Sequence, residues 1–553
     1  MRGLMQDRPL DVSILMRRAE RLFAHKRVVT ATANGEVTAT WRDVVVRARR
    51  LAAALDLLDV PRHARVGTFG WNSQRHVELY LAVPVSGRVL HTLNHRLFPD
   101  DLAYIIGDAA DDVVFVDRSL LPVVWPLLDP AAGRTPTVRH VIAMDDGGAE
   151  KVPDDPRVVD YEALLAQAGG EAQPVAVEEN DAASLCYTSG TTGRPKGVLY
   201  SHRSIVLHAL LLLGTDNFAI SERDVVMPIV PMFHVNAWGL PYAAMLAGSD
   251  LVLPGPAMSP AALAHRMARH RVTFTAGVPA IWRSLLPLLG EVDLSSLRMV
   301  VCGGSPLPDA LARAWYEGTG VRLTSSWGMT ETSPLVACSR LATVHDGLHP
   351  DAQAAVLGTP GPPIPLTELR LMDDAGDPVE HDGETPGELQ VAGPTVAAGY
   401  FGADPGTEKF TEDGWLRTGD VATIDRYGYV RIVDRTKDLV KSGGEWISSV
   451  ELENAIMAHP DVVEAAVIAV DDDRWGERPL ACLVLAPGRD LDEAALRAHL
   501  TGRVASWWIP ERVEILSEIP RTATGKVSKV ALRERFAARR GPEGTGPSQN
   551  RRG

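Results

Sequence analysis

Residues 188–197, Thr-Ser-Gly-Thr-Thr-Gly-Arg-Pro-Lys-Gly, combine glycines, hydroxyls and cations in a segment suited to phosphate chemistry. Glycine reaches backbone conformations that turn successive N–H groups toward one anion. The hydroxyl side chains add hydrogen-bond donors, and Arg194 and Lys196 add positive charge. This composition predicts a loop that binds the polyphosphate of a nucleotide.

The spacing of this loop differs from that of the P-loop. A P-loop has four residues between its glycines and ends in Gly-Lys-Ser/Thr. Here two residues separate Gly190 from Gly193, and Gly197 follows Lys196. The sequence therefore disfavours a P-loop kinase or GTPase. A flexible surface loop is the alternative interpretation of the same residue types.

A second segment, 327–334, places an aromatic ring beside hydroxyl and carboxylate groups and follows a glycine-containing run at 303–305. Trp327 could stack on a purine, Thr330 could hydrogen-bond a phosphate, and Glu331 could bind Mg²⁺. A core tryptophan and a surface glutamate are the structural alternative.

Three later segments carry weaker signals. Asp420 follows a glycine and could accept hydrogen bonds from ribose hydroxyls, although Asx turns have the same pattern. Charges of alternating sign occupy 434–446, which is also typical of a solvated linker. Lys526 follows Gly525 and could bring a point charge to a ligand.

The elements that position these groups follow an α/β pattern. Short β-branched runs alternate with amphipathic helical segments through the first four hundred residues, at 112–116, 225–230, 251–253 and 299–302. We expect one helix to begin at Ser259, with Pro260 in its first position. Another should begin at Ser448, where Glu451 completes a capping box.

The chain is long enough for two or more domains. A domain boundary is expected near 434–442. After it, the pattern of 450–535 predicts a helix, two strands, a second helix and a basic terminal helix. The segment 541–553 lacks apolar residues and is predicted to be disordered.

Composition excludes several classes of protein. The net charge of −14 argues against a nucleic-acid surface but allows a local basic pocket for a small anion. Four scattered cysteines suggest neither a zinc site nor a disulfide framework, so a reducing cytoplasm fits best. Residues 1–17 lack an export signal, and the longest uncharged apolar stretch, 235–248, is too short for a membrane span.

Together and in this order, the five segments resemble the adenylate-forming superfamily of acyl-CoA synthetases, luciferases and peptide-synthetase adenylation domains. The resemblance covers nearly the whole chain. Two further runs are similar to fatty-acid CoA ligases of the medium- to long-chain type. They are Val-Pro-Met-Phe-His-Val-Asn-Ala-Trp-Gly at 230–239 and Lys-Ser-Gly-Gly-Glu-Trp-Ile-Ser at 441–448.

The resemblance implies an α/β fold with a large N-terminal domain, 1–434, made of two sheets with sandwiched helices and a small distorted barrel. A small, mobile α+β domain, 435–540, should follow, with its hinge near Lys437. The family more often has Tyr where Trp327 stands, and either ring can stack on adenine.

The resemblance also implies site residues by position. The catalytic positions are Thr188, Glu331, Lys437 and Lys526, of which Thr188 and Glu331 match the magnesium site. The nucleotide-binding positions are Thr188, Ser189, Gly190, Thr191, Thr192, Gly193, Lys196, Gly303, Gly304, Ser305, Ser326, Trp327, Gly328, Met329, Thr330, Asp420, Arg435, Lys437, Lys441 and Lys526. The substrate positions are His234, Val235, Trp238, Gly443, Gly444 and Trp446.

The implied reaction joins a fatty acid to CoA with ATP and Mg²⁺, through an acyl-adenylate, without an enzyme nucleophile. Cys302 is expected to be a buried core thiol. The sequence leaves the oligomeric state open; the fatty-acid branch that the chain resembles includes homodimers, which is an analogy only. Short-chain, thio- or aryl-acid CoA ligation and acyl transfer to a carrier protein are the alternatives.

Two other classes fit the sequence less well. An α/β-hydrolase needs a Gly-x-Ser-x-Gly elbow, and the run 303–307 ends in Leu307 instead of glycine. A nucleotide sensor would have no need for both Glu331 and Lys526.

Overall fold

The structure is a computed structural model that describes residues 1, 3–188, 194–403, 409–443, 445–472, 474–522 and 527–537. The chain divides into two compact units, Met1–Ile432 and Val433–Gly553. The first unit therefore ends two residues before the boundary expected at 434. The segment 541–553, predicted to be disordered, lies outside the described residues.

The first unit contains an eight-stranded sheet that is parallel except for the pair at each end. Central strands such as Met299–Cys302 and Phe274–Gly277 are almost wholly buried, as expected for a parallel sheet covered on both faces. In spatial order its strands are Leu335–Cys338, Leu323–Gly328, Met299–Cys302, Phe274–Gly277, Val225–Pro228, Asp250–Leu253, Arg27–Thr32 and Gly35–Thr40.

A second sheet of seven strands has only its last pair antiparallel. In spatial order its strands are Val158–Asp160, His140–Met144, Asp111–Asp117, Arg65–Phe69, Val89–Thr92, Ala182–Tyr187 and Gly197–Ser201.

Helices pack between the two sheets. One apolar cluster joins Val226 of the first sheet and Val66 of the second to Trp41, Leu79 and Ala243 on helices. The α-helices of the first unit are Ser13–Leu22, Trp41–Leu57, Gln74–Val85, Pro99–Ala109, Leu121–Leu128, Tyr161–Gln167, His202–Leu212, Leu240–Ala247, Pro260–Arg269, Pro279–Leu285, Asp309–Thr319 and Pro350–Gly358. Short 3₁₀ turns lie at Arg118–Leu120, Pro130–Ala132, Leu286–Leu288, Thr330–Thr332 and Thr343–His345.

A third sheet has four strands. Leu371, Leu389 and Val430 form its small core, and Trp327 packs against it. In spatial order its strands are Glu368–Met372, Gly387–Ala392, Leu416–Ile424 and Val430–Arg435.

The second unit is an α+β domain built on a five-stranded sheet. Four strands follow one another in space as Glu445–Ile447, Val440–Ser442, Gly476–Leu485 and Val462–Asp472, and Arg512–Ile515 pairs with Gly476–Leu485. The helices are Ser449–Met457, Glu493–Leu500 and Lys529–Ala537, with a 3₁₀ turn at Ser506–Trp508. The strand Arg512–Ile515 was absent from the elements expected within 450–535.

Local signals in the sequence located several elements. The helix Pro260–Arg269 is capped by Ser259, whose hydroxyl accepts from the N–H of Ala262, which confirms the predicted start. Ser448 likewise caps Ser449–Met457. The strand expected at 225–230 ends earlier, at Pro228. Among the described residues, no helix combines the length and apolar character that a membrane crossing requires.

We expect one buried carboxyl group, that of Asp117, to make the stability of the first unit depend on pH. Asp117 ends the strand Asp111–Asp117, is 1 % exposed, and accepts a hydrogen bond from the N–H of Trp71 at 2.7 Å. Burial, and then repulsion from Asp146, raises the pKa of Asp117 to about 8. The folded protein therefore holds a proton that the unfolded chain releases near its ordinary pKa.

Because the folded-state pKa is raised, the stability contributed by this proton is lost as the pH rises toward 8. Relative to an Asp117→Asn variant, the free energy of unfolding of the wild type should fall by about 1.4 kcal/mol per pH unit between about pH 5 and pH 7, and the fall should level off above about pH 8. Denaturant titrations at several pH values measure this difference. Asp374→Asn, at an exposed position, should follow the wild type. Parallel curves for the wild type and Asp117→Asn would contradict the prediction.

Candidate active site

Three of the segments singled out in the sequence lie at the carboxyl ends of strands, where open α/β sheets bind ligands. Thr188 follows Ala182–Tyr187 in the second sheet. Gly303 follows Met299–Cys302 in the first sheet, and Trp327 lies near the end of the neighbouring strand Leu323–Gly328. The fold thus presents each segment on a strand end.

The base of the predicted phosphate loop is closed by two hydrogen bonds. The N–H of Thr188 donates to the carbonyl of Lys196 at 2.9 Å, and the N–H of Lys196 donates to the hydroxyl of Thr188 at 3.1 Å. These bonds continue the antiparallel pairing of Tyr187 with Gly197. Residues 189–193, including the predicted contacts Ser189, Gly190, Thr191, Thr192 and Gly193, lie outside the described residues.

A tyrosine joins the base of this loop to the predicted magnesium carboxylate. The ammonium of Lys196 lies 4.9 Å from the ring centroid of Tyr400, within cation–π range. The hydroxyl of Tyr400 donates to Oε1 of Glu331 at 2.6 Å. Burial, and then the charge of Glu331, raises the pKa of Tyr400. The phenol therefore stays protonated and keeps donating to the carboxylate.

The backbone around Glu331 is held in place as well. Its carbonyl accepts from the N–H of Ala397 at 2.7 Å, and the carbonyl of Thr330 accepts from the hydroxyl of Tyr200 at 2.6 Å. Glu331 is 5 % exposed. These contacts fix the position of a buried carboxylate next to a cationic loop.

The carboxylate oxygens of Glu331 are suitable ligands for Mg²⁺. Mg²⁺ takes oxygen ligands and is usually bound by one or two carboxylates together with substrate phosphates. In the described part of the chain, no three His, Cys, Asp or Glu side chains cluster as a complete metal site. A single carboxylate that shares the ion with a polyphosphate fits this arrangement.

The predicted adenine pocket depends on glycines at close approaches. A Cβ atom on Gly303 would lie 2.6 Å from Oγ of Ser326 and 3.1 Å from the Trp238 ring. One on Gly328 would lie 1.8 Å from the carbonyl oxygen of Pro334. Only glycine fits at position 328, and a side chain at position 303 would force Ser326 and Trp238 to shift. The structure therefore brings Trp238, a predicted acyl contact, next to the predicted adenine pocket.

Trp327 and Asp420, the predicted adenine and ribose contacts, bond to each other. The indole N–H of Trp327 donates to Oδ2 of Asp420 at 2.9 Å. Trp327 is half-buried and Asp420 is 7 % exposed. This bond fixes the orientation of the indole, and the Tyr common in the family has no equivalent ring N–H.

The segment Val235–Trp238 forms an unusual left-handed turn. The φ angles are 47° at Val235, 51° at Asn236, 50° at Ala237 and 55° at Trp238. This conformation costs roughly 1–2 kcal/mol per L-residue. Such strain persists only where surrounding contacts enforce it, and it clusters at functional sites.

Contacts with the second sheet hold this turn. The side-chain oxygen of Asn236 accepts from the hydroxyl of Ser184 at 3.3 Å and from the thiol of Cys186 at 3.5 Å. Val235 and Trp238 are 4 % and 8 % exposed. His234, just before the turn, is partly exposed.

The predicted site residues of the second unit surround a short hairpin. Lys441 places its ammonium 5.5 Å from the ring centroid of Trp446. Gly443 has a φ of 62°, and a Cβ there would lie 2.8 Å from the ring of Trp475, so glycine is required. Arg435 and Lys437 are exposed on the preceding strand end and turn. Gly444 and Lys526 lie outside the described residues.

A buried charge network ties that turn to the last helix. Lys529 bonds to Glu453 at 2.7 Å and also contacts the hydroxyl of Ser449. The N–H and hydroxyl of Ser449 both donate to Asp434 at 2.6 Å. A buried ion pair of this kind is weak evidence for stability, because the cost of desolvating both charges offsets their attraction. Asp434 is therefore held in place three residues before Lys437, the predicted hinge.

The remaining predicted residues lie in the first unit near these groups. Gly304, with a φ of 82°, and the exposed Ser305 follow Gly303, while Met329 precedes the 3₁₀ turn Thr330–Thr332. Sequence reasoning missed Tyr400 and Tyr200, because no local motif marks their long-range contacts, and it gave no role to Asn236 within the run 230–239. The four cysteines are free and buried, and Cys302 is the core thiol expected.

Comparison with known proteins defines the family. The profile of the AMP-binding enzyme family matches residues 16–401, and that of the AMP-binding enzyme C-terminal domain matches residues 451–526. The chain therefore belongs to the AMP-binding enzyme family.

Individual relatives are similar over nearly their whole length. A long-chain-fatty-acid–CoA ligase of Thermus thermophilus is 46 % identical over 96 % of each chain. A medium-chain-fatty-acid–CoA ligase of Ectopseudomonas oleovorans is 41 % identical over 97 % of this chain and 98 % of the relative. The crystal structure of an anthranilate CoA ligase with anthranoyl-AMP superposes with a TM-score of 0.82 at 28 % identity, covering 97 % of this chain and 100 % of that one.

Proposed function

We propose that the protein is an ATP-dependent fatty-acid CoA ligase acting on medium- to long-chain acids. The observation that supports the proposal is the run of contacts from Lys196 through Tyr400 to Glu331, in which a lysine and a buried carboxylate contact the same tyrosine. Fatty-acid CoA ligases 41–46 % identical to this chain support the choice of acid.

In the first half-reaction, a carboxylate oxygen of the fatty acid attacks the α-phosphorus of ATP. The bond between the α-phosphorus and the bridging oxygen breaks, and pyrophosphate leaves. Two anions must meet, so the main work of the protein is charge neutralisation and positioning. Lys196 and Lys526 supply positive charge, and Trp327 and Asp420 orient the nucleoside.

Glu331 and Thr188 would hold Mg²⁺, which supplies charge stabilisation on the phosphate oxygens when bound. Tyr400 keeps the carboxylate of Glu331 oriented by its hydrogen bond. Glu331 thus acts as a fixed anionic ligand whose position is set by the protein.

In the second half-reaction, the thiol sulfur of CoA attacks the acyl carbonyl of the acyl-adenylate. The thiol loses its proton, the acyl–phosphate bond breaks, and AMP leaves. The segment around Gly443 and Trp446 is proposed to contact the pantetheine arm of CoA. Rotation about Lys437, the proposed hinge, would bring this segment to the substrate in place of Lys526.

A cytoplasmic location and a homodimer complete the proposal. Four free, buried cysteines suit a reducing compartment. The homodimer rests on the family resemblance and is measured by sedimentation velocity. A preference for one of the other acid classes, short-chain, thio- or aryl acids, would be revealed by the assay described next.

Incubation of the purified protein with Mg·ATP, CoA and a ladder of fatty acids, read by mass spectrometry, tests the function. Acyl-CoA and AMP should appear together, with a maximum among medium- or long-chain acids. Accumulation of acyl-AMP alone would point to another acceptor, such as a carrier protein. Absence of both products with every fatty acid would contradict the proposal, and aryl acids would then be tried.

A further inference from the structure

Residues on opposite sides of the proposed hinge, Lys437, bond to each other in a small buried cluster of the second unit. Asp434 precedes Lys437, whereas its partners Ser449 and Lys529 follow it. A rotation about the backbone of Lys437 moves the residues before it relative to the residues after it. The bonds of Asp434 would therefore break during the domain rotation of the proposed function, on which this inference rests.

One carboxylate oxygen is the centre of this cluster. Oδ2 of Asp434 accepts from the backbone N–H and from the hydroxyl of Ser449, each at 2.6 Å. The ammonium of Lys529 donates to the same hydroxyl. Asp434 is 2 % exposed. Burial raises the pKa of Asp434, and the charge of Lys529 opposes that rise. The carboxylate is thus held by hydrogen bonds and by a nearby cation instead of by water.

The backbone of Ser449 depends on this contact. Ser449 is the first residue of the helix Ser449–Met457, so its N–H has no acceptor within the helix. Asp434 supplies that acceptor from the other side of Lys437, and its negative charge is favourable at a helix N-terminus. The hydroxyl of Ser448 also bonds across the hinge, to the carbonyl of Val433 at 2.5 Å.

Other contacts of the same cluster lie wholly after the hinge. Lys529 pairs with Glu453 at 2.7 Å, and Glu453 also accepts from the N–H of Val467 at 2.8 Å. A rotation about Lys437 leaves both contacts intact. The ammonium of Lys529 therefore keeps a counter-ion when Asp434 moves away, and the carboxylate of Asp434 can regain water.

We propose that Asp434 is a positioning residue that, with Ser449 and Lys529, forms a latch for one of the two domain arrangements used by the half-reactions. The latch is closed in the structure and would open when the chain turns at Lys437. Contacts that exist in only one of two arrangements set the balance between them. Hydrogen bonds to a charged group change such a balance by about tenfold or more.

The two half-reactions of Asp434→Ala, assayed separately in single-turnover experiments, test the latch. The half-reaction that uses the latched arrangement should slow, and the other should not. The ratio of the two rates should therefore differ from that of the wild type by about tenfold. A ratio measured within one preparation does not depend on the folded fraction, so a loss of stability alone leaves it unchanged.

Glu453→Gln is the matched control. It removes a carboxylate that pairs with the same ammonium, but this pair lies wholly after Lys437. The ratio of the two half-reactions should stay within about twofold of the wild type. Ser449→Ala keeps the backbone N–H and removes the hydroxyl between Lys529 and Asp434, so it should shift the ratio in the same direction as Asp434→Ala by a smaller factor. This milder variant decides the question if Asp434→Ala does not fold.

Hydrogen exchange provides a second readout, which does not depend on activity. The amide of Ser449 is followed in the full-length protein with Mg·ATP alone and with AMP and CoA together. Its exchange should be about tenfold faster in one of these two states than in the other. The amide of Glu451 should exchange equally in both, because its acceptor, the hydroxyl of Ser448, lies on the same side of the hinge at 3.1 Å.

Equal changes in both half-reactions of Asp434→Ala, or equal exchange of the Ser449 amide in the two states, would overturn the inference. Either result would indicate that the chain turns before Asp434 and that the cluster moves as one body. Failure of the proposed function would look different, since the wild type would then form neither acyl-AMP nor acyl-CoA.

Discussion

Replacing Glu331 with glutamine should lower the rate of acyl-adenylate formation by about 10²–10³. The change removes one negative charge and keeps nearly the same shape. Glutamine can still accept from the hydroxyl of Tyr400, so the local packing seen at 2.6 Å should persist. A loss of adenylation rate in Glu331→Gln would therefore show that the proposed magnesium site requires the negative charge of Glu331.

Release of pyrophosphate in single-turnover experiments, at several concentrations of Mg²⁺, measures this effect. Tyr400→Phe is the matched control, because it deletes only the hydroxyl that orients Glu331 and leaves the ring beside Lys196. We expect a loss of about tenfold or less for this variant. An adenylation rate for Glu331→Gln within threefold of the wild type would remove Glu331 from the proposed site.

Replacing Lys526 with alanine should nearly abolish adenylation while sparing thioester formation from supplied acyl-adenylate. The lysine is proposed to stabilise the charge that develops as pyrophosphate leaves, and this charge is absent in the second half-reaction. The expected loss in the first half-reaction is about 10²–10³. The two half-reactions are assayed separately, with ATP and acid in one and acyl-AMP and CoA in the other.

Arg521→Ala provides the control for Lys526→Ala. It removes a cation only five residues earlier, one that pairs with Glu464 within the second unit. Partly exposed ion pairs contribute little, so both half-reactions should change less than about threefold. Equal losses in the two half-reactions of Lys526→Ala would refute the proposed division of roles.

The sequence predicted those features of the fold that depend on neighbouring residues. The helix cap at Ser259 and the strand Met299–Cys302 follow from short patterns, and the structure has both. The order of motifs gave the family and with it the two-sheet architecture. The strand Arg512–Ile515 was missed although Arg-Val-Glu-Ile alternates polar and apolar residues, because the run is only four residues long and its pairing with Gly476–Leu485 defines it.

The parts of the site that escaped sequence reasoning depend on distant partners. Tyr400 and Glu331 are 69 residues apart, and Trp327 and Asp420 are 93 apart. The left-handed turn is even less predictable, because valine, alanine and tryptophan avoid that conformation in isolation. Its Asn236 is held by Ser184 and Cys186, about fifty residues earlier.

The bond between Trp327 and Asp420 also gives the protein an optical reporter. Indole emission responds to changes in hydrogen bonding and in stacking, and this indole lies in the proposed nucleotide pocket. The chain has twelve tryptophans, so the difference spectrum between the wild type and Trp327→Tyr isolates the signal of this one. Occupancy of the proposed nucleotide pocket should thus be measurable by fluorescence in the unlabelled protein.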